Sequence, residues 1–180
     1  AWSALRATFP ALARANNFDA SKVKWVNMPP AALVSALISE KVDSVAAFAT
    51  IAHIIKARAK EAGKEAVTIF HSDYGLDLYS TTLIATDQRI QDNADQVRRF
   101  VVATMKGMAW AIENPEKGVD YVIKNYPTLS AQKERKVWRI IVDHMLTPYQ
   151  RTHGLGQISR EKAQRTLDIV FEAHKITKKM

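Results

Sequence analysis

The stretch Val42-Asp43-Ser44-Val45-Ala46-Ala47-Phe48 constrains the fold more than any other part of the chain. After Asp43 it is apolar at nearly every position, as expected of a strand covered on both faces. Two further β-rich runs flank it. Val23–Asn27 alternates and cannot continue into Pro29-Pro30, and Ala66–Phe70 follows Gly63. Helical patterns separate the runs. Pro30 suits the first turn of a helix with Ala32, Leu33, Ala36 and Leu37 on one face, and a second helix over Thr50–Ala62 stops at Gly63. Upstream, Ser3–Asn17 carries Leu5, Phe9 and Leu12 at helical spacing; Pro10 predicts a late start or a bend, and Asn16-Asn17 closes the segment. Helix, strand, helix, strand, helix, strand predicts an α/β fold with a mostly parallel sheet. The loops after its strands would carry any ligand site.

After Gly75 the pattern changes. Tyr79–Ala85, rich in Thr and Tyr, reads as one more strand, and the remainder is helical. Asp92 or Asn93 caps a long helix with Val97, Phe100, Val101, Met105, Met108 and Ile112 on one stripe. Asn114-Pro115-Glu116 starts the next, which ends before Pro127. Ser130 opens a helix closed by Pro148, and Gly154-Leu155-Gly156 turns the chain into a last helix capped by Ser159.

Several functional classes are excluded or disfavoured by composition. The chain has no cysteine, so disulfides, thiolate metal sites and cysteine nucleophiles are absent. The formal charge is +8, but the basic residues are interleaved with Asp and Glu, as on a solvated surface rather than a nucleic-acid stripe. No apolar run approaches the roughly 20 residues of a membrane span. The first residues, Ala1-Trp2-Ser3, begin inside an element with no basic-then-apolar leader, which predicts a processed or truncated terminus. His53, His144, His153 and His174 have no metal-ligand spacing, and no phosphate-binding glycine motif occurs, so neither metal nor nucleotide cofactor is expected. His71-x-Asp73 is the one close pairing of histidine and carboxylate, and it lacks a nameable nucleophile.

An ordered set of segments carries a resemblance. It comprises Leu5-Arg6-Ala7-Thr8-Phe9-Pro10-Ala11-Leu12, Asn17-Phe18-Asp19, Val23-Lys24-Trp25-Val26 and Leu37-Ile38-Ser39-Glu40-Lys41-Val42-Asp43-Ser44-Val45. Further along come Leu83-Ile84-Ala85-Thr86, Arg98-Arg99-Phe100, Trp110-Ala111 before Asn114-Pro115, and Gly154-Leu155-Gly156. Together they resemble the second lobe of periplasmic solute-binding proteins of the nitrate, sulfonate and taurine type, which share their domain with the NMT1/THI5-like proteins. Where that family has a small residue and an alanine, this chain has Glu40 and Ser44.

The resemblance implies a periplasmic-binding-protein-like (type II) α/β lobe over residues 1–78. Residues 79–180 would be a return strand and C-terminal helices that pack partly on a first lobe preceding this sequence. It implies a solute-binding component of an ABC importer that takes a small anion or flat organic ligand, delivers it to a membrane permease and does no chemistry. Localisation would be periplasmic, exported or as an anchored lipoprotein. An apolar surface left by the first lobe would invite a dimer. The pyrimidine-synthase branch relies on a cysteine-rich motif that has no counterpart here. A sensory or enzymatic module on the same fold stays open as the alternative.

Candidate ligand contacts lie at the expected cleft edge. Ser3 and the amides after it suit an anion, although an ordinary cap explains Ser3 equally. Pro29 follows a strand, and a rigid turn alone would also explain it. Phe48 could stack on a flat ligand beside the Thr50 hydroxyl, or belong to the core. Asp73 and Tyr74 sit at the crossover between lobes, where an Asx-turn is the competing reading of Asp73. Trp2 offers another stacking surface.

Overall fold

Residues 4–177 are described by a computed structural model. The chain divides into two compact units: the sequence up to Tyr79 with the segment from Arg160 onward, and Ser80–Ser159.

In the first unit, α1 (Ala4–Ala15) runs through Pro10 and buries Ala7, Leu12 and Ala13. Asn17 then takes a left-handed φ of 56°, so the predicted stop is in place. The last helix, α9 (Arg160–His174), returns to pack on α1, and Arg14 Nη2 reaches Glu172 Oε2 at 2.7 Å. The same helix holds the chain near residue 79. Thr166 Oγ1 accepts from the Tyr79 amide at 3.0 Å, and Lys162 pairs with Asp77 at 2.5 Å while lying 5.0 Å from the Tyr79 ring. The helices α2 (Leu33–Ile38) and α3 (Ala52–Glu61) pack through Ala36, Ile55 and Ala59. Lys64 Nζ fastens the end of α2, donating to Ile38 O at 2.8 Å and pairing with Glu40 at 2.6 Å. That hydrogen bond holds the Glu40 carboxyl below its ordinary range.

The predicted parallel sheet is absent: no strand occurs among the described residues, so an α/β lobe is not what this chain forms. The runs read as strands are extended but make no ladder. Val23–Asn27 is held to α1 by side chains instead. Trp25 meets Phe9 edge-on at 5.2 Å, Arg6 lies 5.4 Å from the Trp25 ring, and Arg6 donates to Asn27 at 3.1 Å. Residues 43–48 follow bends, with Val45, Ala46 and Ala47 half-buried. In 66–70, Val67 is 80% exposed and Ile69 64%, and in 79–85 Ile84 is 92% exposed. Alternation and β-branching report a side-chain preference, but a strand exists only where a second backbone pairs with it.

Glu40 stands where the resembling family has a small residue, and its backbone suits one. Its φ of 58° is left-handed, a conformation that favours glycine and strains any residue carrying a Cβ. Glu40→Gly is expected to raise stability by about 1 kcal/mol, since the Lys64 pair it removes is largely solvated. Gly63→Ala, at φ 68° with open space around the new Cβ, should lower stability by about 1 kcal/mol through backbone strain alone. Equilibrium urea unfolding reads both.

The second unit is built on α4 (Asp87–Asp92), α5 (Ala94–Glu113), α6 (Pro115–Asn125), α7 (Ala131–Met145) and α8 (Pro148–His153). Its starts follow the predicted signals at Asn93, Asn114-Pro115 and Ser130. Pro148 differs from expectation, because it opens α8 rather than only closing α7. Thr147 caps that helix by accepting from the Gln150 amide at 3.3 Å, and proline suits the first position because its missing donor is unneeded there. Val119 is the buried residue of α6. Arg135 on α7 joins Glu116 and Asp120 on α6, and these contacts raise its already high pKa. Gly118 on α6 lies against Ala111 on α5, where an added Cβ would make ordinary contact with Ala111 Cβ at 3.5 Å. Phe100, Tyr121 and Tyr126 are each more than 60% exposed.

Candidate functional site

Three places in the first unit share one backbone pattern: an extended residue enters a short helical turn. Pro29 (φ −60°, ψ 147°) leads into Pro30–Ala32 and then α2. Phe48 (φ −71°, ψ 148°) leads into Ala49–Ile51 and then α3. Phe70 (φ −84°, ψ 129°) leads into His71–Tyr74, which Gly75 closes at φ 82°. In each turn the third amide bonds back to the leading residue: Ala32 to Pro29 O at 2.9 Å, Ile51 to Phe48 O and Asp73 to Phe70 O at 3.1 Å. None of the three leading residues supplies a side-chain cap. The first amides of each turn, at Ala31, Ala49, Thr50, His71 and Ser72, therefore have no carbonyl within the turn to bond. Such amides are the natural partners of an anion or a carbonyl oxygen.

Four of the expected contact residues stand at these junctions with side chains in or near solvent. Phe48 is 66% exposed, which rules out the core reading within this unit, and Tyr74 is 50% exposed. Pro29 and Asp73 are exposed as well. Asp73 accepts from Ser72 Oγ at 3.3 Å rather than from a backbone amide two residues on, so it makes no Asx-turn. Thr50 is half-buried inside its turn. Ser3 and Trp2 lie outside the described residues. Among the described residues no hydrogen bond or ring contact links any two of Pro29, Phe48, Thr50, Asp73 and Tyr74. What they share is a position at an extended-to-helical junction.

The third junction is the best anchored. Asn16 Nδ2 donates to Tyr74 O at 2.8 Å and to Leu12 O at 2.9 Å, tying the turn to α1, and Leu76 is buried immediately after it. His71, which the sequence presented only as a neighbour of Asp73, is half-buried there, and burial lowers its pKa from 6.5. No hydrogen bond joins it to Asp73. His53 was equally inconspicuous in the sequence; it sits in the first turn of α3 with both ring nitrogens buried and unpartnered. A histidine closely following a β-rich run was the available signal for both, His71 directly after Phe70 and His53 at the start of the helix after Phe48.

The His71 shift has a defined consequence. Below pH 6.5 the unfolded chain takes up a proton that the folded chain resists, so stability falls on acidification from that point and levels off once the folded state also protonates. His71→Gln is expected to flatten this limb in a pH series of urea unfolding curves. An unchanged limb would show that His71 does not set it.

A groove of about 490 Å³ between α2 and α3 is lined by Ala31, Val34, Ile38 and Arg58 among others. It includes an amide-bearing residue of the first junction but neither Phe48 nor Asp73. Among the described residues no helix is long and apolar enough to cross a membrane.

Comparison with curated proteins and with solved structures finds no match to the chain. A family model described as NMT1/THI5 like matches residues 3–118, well over half of the sequence and the whole stretch that carries the three junctions. Proteins of that family are generally solute-binding, with synthetic members among them. The chain belongs to the NMT1/THI5-like family.

Proposed function

We propose that this chain is a solute-binding component of an ABC importer, working outside the membrane, in the periplasm where there is one, and passing its ligand to a permease. The observation that carries this reading is the repeated junction of the first unit, where uncapped helical starts offer free amides beside exposed Phe48 and Tyr74. Free amides recognise oxygen atoms of an anionic or carbonyl group, and an exposed aromatic ring stacks on a flat body. Pro29, Phe48, Thr50, Asp73 and Tyr74 are the proposed contacts. Ser3 joins them on sequence grounds.

Asp73 narrows the ligand class. An exposed carboxylate disfavours a bare inorganic anion and favours a molecule that also carries a donor, such as an aminosulfonate or a pyrimidine. Residues 1–78 form the ligand-binding lobe in this reading, and 79–180 the segment that packs partly on that lobe, through α9, and partly on a further lobe or a second copy. Exposed Phe100, Tyr121 and Tyr126 support such a covering partner.

A thermal-shift series with nitrate, taurine, alkyl sulfonates, aromatic acids and pyrimidines tests the proposal. Ligand at a hundred times its dissociation constant adds about 2.7 kcal/mol to the folded state. A ligand-specific rise that Phe48→Ala removes is expected. A rise untouched by Phe48→Ala would remove Phe48 from the contacts, and no rise with any of these ligands would move the reading to a sensory or enzymatic module.

A further inference from the structure

In the second unit, α7 carries Glu134, Val137, Trp138 and Ile141 at the spacing of one helical face. With Ala111 of α5 and Val122 of α6, among others, that face encloses a cavity of about 260 Å³. Glu134 is the one charged residue of its lining, which is otherwise apolar apart from the indole of Trp138. Glu134 is half-buried as a residue, and its carboxylate has no ion-pair or hydrogen-bond partner among the described residues. The adjacent guanidinium, Arg135, is committed to Glu116 and Asp120 on α6. The Trp138 indole Nε1–H is buried with no acceptor.

An unpaired carboxylate at the edge of an apolar cavity attracts a group of opposite charge. We propose that this cavity binds a small organic cation, an ammonium group on a compact apolar body. The ammonium pairs with Glu134, and the body lies against Val122, Val137 and Ile141. The Trp138 ring, another lining residue, adds apolar contact for the body. A cavity of this volume is at the small end for ligand pockets and fits a molecule of about one ring. Charge selects the occupant: a carboxylate or sulfonate would meet Glu134 as a like charge. The site lies outside the junctions of the first unit and is independent of the solute-binding proposal.

Benzylammonium, benzyl alcohol and benzoate present one ring with a positive, neutral and negative group. Each is titrated into the 180-residue chain while the indole Nε1–H resonances are followed, the Trp138 signal being assigned from Trp138→Phe. Benzylammonium alone is expected to move that signal saturably. Glu134→Gln should weaken the response at least about tenfold, the size of a lost hydrogen bond to a charged group. Val122→Arg, which sets a competing cation at the exposed rim, should abolish it, and Glu113→Gln, at the end of α5 away from the cavity, should leave it unchanged. The proposal is overturned by an equal response to benzyl alcohol, by an undiminished response in Glu134→Gln, or by no saturable response to benzylammonium up to its solubility limit.

Discussion

Gly156→Ala is expected to destabilise the second unit by about 2–4 kcal/mol, combining left-handed strain with a steric clash. Gly156 sits at φ 82°, and an added Cβ would overlap Met105 Sδ on α5 and lie 3.2 Å from its Cγ. The thioether can yield, but the turn cannot move freely to help it. Gln150 holds the turn from both ends of its amide, accepting from Gly156 N at 2.8 Å and donating to Gln157 O at 2.6 Å. The two components are separable. In Met105→Ala the clash disappears and the backbone strain stays, so Gly156→Ala in that background should cost only about 1–2 kcal/mol. Chemical unfolding of the four proteins in the cycle measures the difference. Equal costs in both backgrounds would show that Met105 does not pack against the turn.

Leu12→Ala is expected to cost about 2–4 kcal/mol, by lost burial and the cavity left behind. Leu12 is 7% exposed on α1, beside Ala13 at 1%, on the helix against which α9 packs. The neighbouring ion pair provides a contrast. Arg14 and Glu172 are both more than half exposed, so Arg14→Ala should cost under about 0.5 kcal/mol despite its 2.7 Å contact. Apolar burial therefore decides whether α9 stays on α1. Hydrogen exchange along α9 should accelerate strongly in Leu12→Ala and hardly in Arg14→Ala. The reverse order would mean that the charge pair, not the core, docks the helix.

The helices were legible in the sequence because their signals are local. Proline at a first helical position, a polar residue before it, and glycine or asparagine after the last turn act within a few residues, and they mark α2, α5, α6 and α7. Pro148 was read from one side only: proline ends a helix and also begins one. The sheet was not legible for the opposite reason. Val45, Val67, Ile69 and Ile84 have the side chains of strands, but pairing depends on a distant backbone that no local pattern specifies. Here Trp25 finds its partners on α1, and Tyr79 gives its amide to Thr166 on α9. The junctions themselves were legible because the end of a β-rich run and the following helix start can both be seen locally, with or without a sheet. His71 and His53 were missed because their interest comes from burial, which the sequence does not show.

The most direct test of solute binding at the junctions is chemical-shift mapping of the backbone amides while taurine, an alkyl sulfonate or a pyrimidine is added. Ala31, Ala49, Thr50 and Ser72 should move together with one shared affinity, along with the Phe48 ring, while amides of Ser80–Ser159 stay in place. Saturable shifts confined to that second segment, or no saturable shift at the junctions with any of these ligands, would contradict the proposed site.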